Sequence, residues 1–178
     1  RQDLFLESLY CEYIKNSNLS QSFREFVAHY PKERLDWYVL YKTIKACFPT
    51  ATYHFRIYER PLLQHHNVIP DFFHCAGIDI PELVVPSTAI NRRLNQQAIE
   101  TIRAFNATSY CKRQLRPTNL QQLSTFIASS NETSYGFMSL AERLTFLNQY
   151  ADSNAKLART LGFSSPSLFT TPTDIPIV

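Results

Sequence analysis

One stretch of the chain has the alternating pattern of a β-strand, and the other periodic segments are helical. Over residues 52–58, every second position carries an apolar or aromatic side chain: Tyr53, Phe55 and Ile57. This period of two is typical of a half-buried strand. One strand cannot form a sheet. The sequence therefore predicts an α/β protein, with the partner strands in polypeptide before Arg1 or in another chain.

The start of the chain is the second constraint. The first residue is Arg1, and a helix is predicted from about Asp3 to Lys15 with Asp3 as its cap. No signal-peptide pattern precedes this helix. We therefore expect a single domain over residues 1–178 that is incomplete at its N-terminus, with an irregular C-terminal arm over residues 164–178.

Capping boxes mark three helix starts, because in each a Ser or Thr precedes a Glu or Gln by three positions. The pairs are Ser22 with Glu25, Thr118 with Gln121, and Ser139 with Glu142. Further helices are predicted over Leu35–Phe48 and after Asn91. Helical spacing also runs from Ser139 to Leu161, with a break near residues 152–154.

Composition excludes several classes of site. Three glycines against ten prolines leave no place for a Gly-rich phosphate loop. The four cysteines form no Cys-x-x-Cys pair, so neither a zinc site nor a disulfide framework is indicated, and reduced thiols in the cytoplasm are expected. Apolar runs are too short to cross a bilayer.

The net charge of +3 is mild. Its densest basic stretch suits a small phosphorylated ligand or an anionic sugar better than a nucleic acid, so we expect no nucleic-acid partner. That stretch includes Arg92 and Arg93.

Arg1 and Ser8 are candidates for binding an anion. They stand seven positions apart at the start of the first helix, where free N–H groups and the helix dipole attract negative charge. An Arg fork and a Ser hydroxyl would complete a phosphate clamp. The alternative is a solvated Arg at a chain end and an ordinary Ser one turn into a helix.

Several segments resemble sulfotransferases in the same order. The opening RQDLFLESLY is similar to the family's segment in which an Arg ends a strand and a Ser in the next helix holds the 3′-phosphate of 3′-phosphoadenosine 5′-phosphosulfate (PAPS). FRIYERPLL resembles a strand that ends in Tyr-Glu, here Tyr58 and Glu59. DFFHCAGID resembles the next helix end, with Gly77 as the stop. AINRRLNQQAIETIRAFN and LNQYADSNAKLARTLGFSSPSLF resemble segments of bacterial members linked to polysaccharide or lipopolysaccharide biosynthesis.

The resemblance implies a P-loop NTPase-like sulfotransferase fold, with this chain as its helix-rich C-terminal part. It also implies transfer of a sulfo group from PAPS to a carbohydrate hydroxyl, with a carbohydrate or glycolipid as acceptor and no metal. The donor-binding residues it implies are Arg1 and Ser8, to which Arg92 and Arg93 would add positive potential.

The sequence departs from the family in two respects. The family's phosphate-binding Arg stands eight positions before the Ser, whereas Arg1 stands seven before Ser8. Bacterial members of the family often have a doubled Arg followed by Gln-Asp at this place, and Arg1 matches the second Arg at least as well as the first. In the family, the 5′-phosphosulfate loop and the catalytic base lie upstream of this region, so the catalytic residues are unknown.

Two other readings stay open. The alternatives to a sulfotransferase are a non-catalytic helical interaction module and a kinase or glycosyltransferase of polysaccharide assembly. A further choice concerns Trp37, Tyr38 and Tyr41, which on one helix either stack on a sugar or base or pack in the core.

Overall fold

The computed structural model describes residues 1–79, 94–108, 136–163 and 167–170. Within these residues all regular secondary structure is helical. The α-helices are α1 (Gln2–Asn16), α2 (Phe23–His29), α3 (Trp37–Cys47), α4 (Val68–Ala76), α5 (Gln96–Asn106), α6 (Leu140–Asn148) and α7 (Ala151–Thr160). Short 3-10 helices cover Lys32–Leu35, Arg60–Leu62 and Gln64–His66.

The predicted strand at residues 52–58 is wrong, and with it the expected α/β, P-loop NTPase-like sulfotransferase fold. No β-strand occurs in the described part of the chain. The exposure of these residues does alternate, with Tyr53, Phe55 and Ile57 half-buried. Because a strand requires a paired backbone and no second strand is present among the described residues, the inward side chains pack on a helix instead. The Phe55 ring lies 5.2 Å from that of Tyr41 on α3.

The described residues form two compact units. The first contains residues 1–35, 94–108 and 136–151, and the second contains residues 36–79, 152–163 and 167–170.

The first unit is built around α1, which packs against α2, α5 and α6. Leu6, Tyr10 and Ile14 are fully buried on one side of α1, and Ile99 is fully buried on α5. These positions follow the three- and four-residue spacing that places side chains on one face of a helix. Asn106 fastens α5 to the end of α1, because its Nδ2 donates to the carbonyl oxygens of Ile14 at 2.8 Å and Leu19 at 2.9 Å.

An aromatic cluster surrounds Tyr10. Its ring lies 5.2 Å from Phe23, 5.5 Å from Phe26 and 5.2 Å from Phe137, and its hydroxyl donates to the carbonyl oxygen of Gln21 at 3.0 Å. Burial raises the pKa of Tyr10 well above its usual value. The hydroxyl therefore stays protonated and keeps its hydrogen bond.

The core of the second unit is formed by Leu157 and Ala158 of α7 together with Leu168. Trp37, Tyr38 and Tyr41 of α3 are partly buried against these residues. The three aromatic side chains thus contribute to packing while remaining partly accessible.

Most helix ends follow local signals. The capping boxes at Ser22 and Ser139 are both confirmed, and Gly77 ends α4 in the left-handed conformation, with φ 67°. The predicted box at Thr118 and Gln121 lies outside the described residues.

Three boundaries differ from the predictions. The N-cap of α1 is Arg1, and Asp3 lies inside the helix. α5 starts after Asn95, whose side chain accepts from the N–H of Ala98 at 2.8 Å. The break between α6 and α7 falls at residues 149–150, before the predicted position.

No helix in the described ranges combines the length and apolar character needed to cross a membrane.

Candidate functional site

Arg1 is engaged by a carboxylate at the start of α1. Its Nε donates to Asp3 Oδ1 and its Nη2 to Asp3 Oδ2, each at 3.0 Å. The fork geometry that would suit a phosphate is therefore used on a neighbouring side chain. This pairing fits a structural role for Arg1 better than a role as the main phosphate ligand.

Ser8 is exposed on α1. Positions seven apart lie on almost the same side of a helix. Arg1 and Ser8 are therefore on one side of α1, about 10 Å apart along the helix axis at 1.5 Å per residue. The Arg1 guanidinium, however, is turned to Asp3, which is fully buried. The structure does not bring the two predicted ligands together as a clamp, but it leaves the Ser8 hydroxyl accessible. Arg92 and Arg93, the other two predicted donor-binding residues, lie outside the described residues.

A buried group of charges lies behind α1. Arg143 of α6 donates from Nη1 to Asp3 Oδ2 at 2.9 Å and from Nη2 to Glu7 Oε1 at 2.6 Å. The backbone N–H of Phe137 also donates to Glu7 Oε1, at 2.7 Å. Gly136 lies beside this guanidinium, where an added Cβ would come within 3.2 Å of Arg143 Nη2. We refer to Arg1, Asp3, Glu7 and Arg143 as the charge cluster.

The two carboxyl groups of the charge cluster differ in their ionisation. Burial opposes the charged form of Asp3, but hydrogen bonds and charges from Arg1 and Arg143 outweigh it and lower its pKa. For Glu7, burial outweighs the hydrogen bond and charge of Arg143 and raises the pKa. Two guanidinium groups thus face one carboxylate that stays ionised and one that takes up a proton more readily. The charge cluster thus pairs two guanidinium groups with two carboxyl groups and has no net negative charge.

Sequence reasoning missed the charge cluster. The sequence predicts Asp3 as a cap, and its local patterns single out neither Glu7 nor Arg143. The available signal is the position of Gln2, Asp3 and Glu7 on the same side of the helix as Leu6 and Tyr10, which places three polar side chains on the apolar face. A buried carboxylate requires a cation, but the pattern does not say which distant residue supplies it.

A second ion pair organises the second unit. Arg56 donates from Nε to Asp71 Oδ2 at 3.0 Å and from Nη2 to Asp71 Oδ1 at 2.7 Å. The N–H of Gln64 also donates to Asp71 Oδ1, at 2.9 Å. Hydrogen bonds from Arg56 and Gln64 lower the pKa of Asp71. These contacts fix the turn before α4 and point to a structural function.

The adjacent histidines of this turn do not form a recognisable metal site. His65 and His66 both have positive φ, at 52° and 55°, and His66 Nδ1 lies 3.2 Å from the carbonyl oxygen of Arg60. Across the described ranges, no group of three or more His, Cys, Asp or Glu side chains is placed to hold a metal ion.

Comparison with known proteins finds an archaeal relative of this chain. A protein of Archaeoglobus fulgidus, described as an uncharacterized protein, is 33% identical over 159 residues. The match covers 89% of this chain but 43% of that protein, so the chain spans less than half the length of the relative. No protein-family model matches the chain, and no solved structure matches it significantly.

Proposed function

We propose that the chain is the helical part of a sulfotransferase-like enzyme that transfers a sulfo group from PAPS to a carbohydrate hydroxyl. The observation that carries the proposal is the exposed Ser8 on α1, in a segment that resembles the family's 3′-phosphate site. Two further parts of the resemblance are compatible with the helices found. Gly77 ends α4, as the resemblance of DFFHCAGID implies. α5 lies within residues 89–106, the segment AINRRLNQQAIETIRAFN.

Each residue near α1 has a distinct role in this proposal. The Ser8 hydroxyl donates a hydrogen bond to the 3′-phosphate, and Arg1 holds Asp3 in place. Arg92 and Arg93 are the proposed cations for the phosphate. PAPS supplies the sulfo group, and its transfer depends mainly on positioning and on cationic groups that meet the developing negative charge. The catalytic base is not assigned to any described residue.

The archaeal relative is longer than the segment that matches this chain. More than half of that protein lies outside the matched segment. A longer protein of this kind has room for a loop that binds the 5′-phosphosulfate and for a catalytic base.

The direct test is calorimetric binding of adenosine 3′,5′-bisphosphate to the longest natural protein that contains the chain, followed by transfer of radiolabelled sulfate to oligosaccharides. Ser8→Ala is expected to weaken nucleotide binding about tenfold to 100-fold, the usual effect of one hydrogen bond to a charged group. Ser20→Ala, which also alters an exposed hydroxyl in the first unit, is the matched control. Absence of any nucleotide binding would refute the proposal.

A second candidate function, a non-catalytic helical interaction module, is favoured by α4. In this helix the buried residue is the charged Asp71. The apolar side chains of Val68, Ile69 and Phe72 are exposed, and Phe72 is 63% exposed. Exposed apolar side chains on one helix are typical of a surface that contacts another protein. Sedimentation of the wild-type chain and of Phe72→Ser tests this. The interaction module is favoured if the wild type associates, Phe72→Ser does not, and neither protein binds nucleotide.

A further inference from the structure

Four aromatic rings form a row in the second unit. Tyr38 and Tyr41 of α3 are stacked with centroids 6.4 Å apart and planes at 11°. Tyr41 then contacts Phe55 at 5.2 Å, and Phe55 is stacked on Tyr53 at 5.8 Å and 14°. All four side chains are half-buried. We call these residues the aromatic row.

Two lysines lie over the ends of the aromatic row. Lys42 Nζ is 5.0 Å from the centroid of the Tyr38 ring, and Lys45 Nζ is 4.4 Å from that of Tyr53. Both lysines are exposed, and neither forms an ion pair with another described residue. Their ammonium groups are therefore held near the row by weak cation–π contacts that an incoming anion can replace.

No carboxylate lies within the stretch that carries the aromatic row, and Asp36 and Glu59 stand just outside its two ends. From Trp37 to Tyr58 there is no Asp or Glu. The one arginine in this stretch, Arg56, is paired with Asp71. Within the stretch, the positive potential of Lys42 and Lys45 is thus not offset by a carboxylate.

We propose that the aromatic row with Lys42 and Lys45 binds an acidic oligosaccharide. Aromatic rings suit the C–H faces of sugar rings, and the hydroxyls of Tyr38 and Tyr41 suit the sugar hydroxyls. The Tyr53 hydroxyl donates to the carbonyl oxygens of Ile44 and Phe48, so Tyr53 contributes its ring. The lysines are placed to form charge-assisted hydrogen bonds with sugar carboxylates or sulfates. Single-stranded nucleic acid also stacks on aromatic rings, but it needs a positively charged groove that follows its backbone. Two lysines at the ends of a short row fit a few acidic groups better.

This inference extends the proposed function by naming the acceptor class, and to that extent it rests on it. Binding itself is independent of PAPS. The chain is therefore titrated without nucleotide, first with a tetrasaccharide of galacturonic acid and then with neutral maltotetraose. We expect the acidic sugar to bind more tightly, and we expect added salt to weaken that binding, because exposed charges are screened.

Variants locate the site. Lys42→Ala and Lys45→Ala are each expected to weaken binding of the acidic sugar about twofold to fivefold, whereas Lys42→Arg and Lys45→Arg keep the charge and most of the affinity. Lys156→Ala, which removes an exposed lysine on α7 of the same unit, is the control. Substitution of a ring would also disturb packing, so the rings are tested without substitution. Chemical shifts of the Tyr38, Tyr41 and Tyr53 rings are followed by NMR during titration with the acidic sugar.

Several results would overturn the inference: equal binding of the two sugars, unshifted rings, a stronger effect of Lys156→Ala, or tighter binding of a single-stranded oligonucleotide. Its failure is distinguishable from failure of the proposed function. If nucleotide binds and sulfate is transferred but the lysine variants leave acceptor KM unchanged, only the inference fails. If the acidic sugar binds at the row but nucleotide does not, only the proposed function fails.

Discussion

Arg143 Nη2 donates to Glu7 Oε1 at 2.6 Å, and this contact joins α6 to α1 across 136 positions of sequence. The same guanidinium reaches Asp3 at 2.9 Å. Both carboxyl groups are almost completely shielded from solvent. Arg143 is thus the cation shared by the two acidic side chains that α1 buries next to its apolar ones, and Arg1 pairs with Asp3 as well.

Removal of Arg143 should therefore destabilise the protein strongly. Arg143→Met keeps much of the apolar stem but leaves Asp3 and Glu7 without this partner, and breaking a buried ion pair typically costs about 3–5 kcal/mol. Urea unfolding followed by circular dichroism measures the change. Arg24→Met is the matched control, because Arg24 is exposed and stands 3.8 Å from exposed Glu142. Equal shifts in the two midpoints would contradict a structural role for the charge cluster.

The opposite pKa shifts within the charge cluster give a pH signature. Because the pKa of Glu7 is raised in the folded state, folding takes up a proton there, and this contribution to stability grows as pH falls from neutral towards the ordinary value of 4.5. The pKa of Asp3 is lowered, so its contribution is present above its ordinary value of 3.8 and is lost as pH falls through the folded-state pKa.

Comparison of variants isolates the two effects. On mild acidification the wild type should gain stability through Glu7, and Glu7→Gln should lack that gain. At lower pH the wild type should lose stability through Asp3, and Asp3→Asn should lose less. The measurement is the unfolding free energy from urea titrations at a series of pH values, taken as the difference between wild type and variant. A Glu7→Gln difference that does not vary with pH between neutrality and 4.5 would be inconsistent with a raised pKa at Glu7.

The features that sequence predicted well are decided within one helical turn. Ser22 and Ser139 cap their helices through a Glu three positions later, and Gly77 tolerates a positive φ that other residues adopt only with strain. The features that sequence missed depend on distant residues. Asp3 is an acceptable cap by local criteria, but Arg143, 140 positions away, binds it inside the helix. Tyr53, Phe55 and Ile57 have the alternation of a strand, but alternation does not supply the second strand that a ladder needs.

The amide of Asn106 should be important for the packing of α5 on α1. Its Nδ2 donates to two carbonyl oxygens, of Ile14 and Leu19, and the residue is buried. Asn106→Ala leaves both acceptors without this donor, a loss that typically costs about 1–3 kcal/mol. Thermal unfolding compares this variant with Asn16→Ala. In the wild type, the Asn16 amide donates a hydrogen bond to Glu12 at the exposed end of α1. A larger effect at Asn16 would show that the link between the two helices is not set by Asn106.

Gly77 offers a test in which the two mirror forms of alanine act in opposite directions. The residue ends α4 at φ 67°, and no atom lies within 4 Å of an added Cβ, so any penalty arises from the backbone and not from a clash. An L-residue in the left-handed region costs about 1–2 kcal/mol, part of which is offset by the lower entropy of an unfolded chain without that glycine. Gly77→Ala should therefore lower the free energy of unfolding by about 1 kcal/mol, and Gly77→Asn should lower it less, since Asn tolerates this region. D-alanine introduced at the same position by semisynthesis favours positive φ and should stabilise the protein. If thermal unfolding showed that both L-alanine and D-alanine destabilise the protein, a left-handed conformation of Gly77 at the end of α4 would be contradicted.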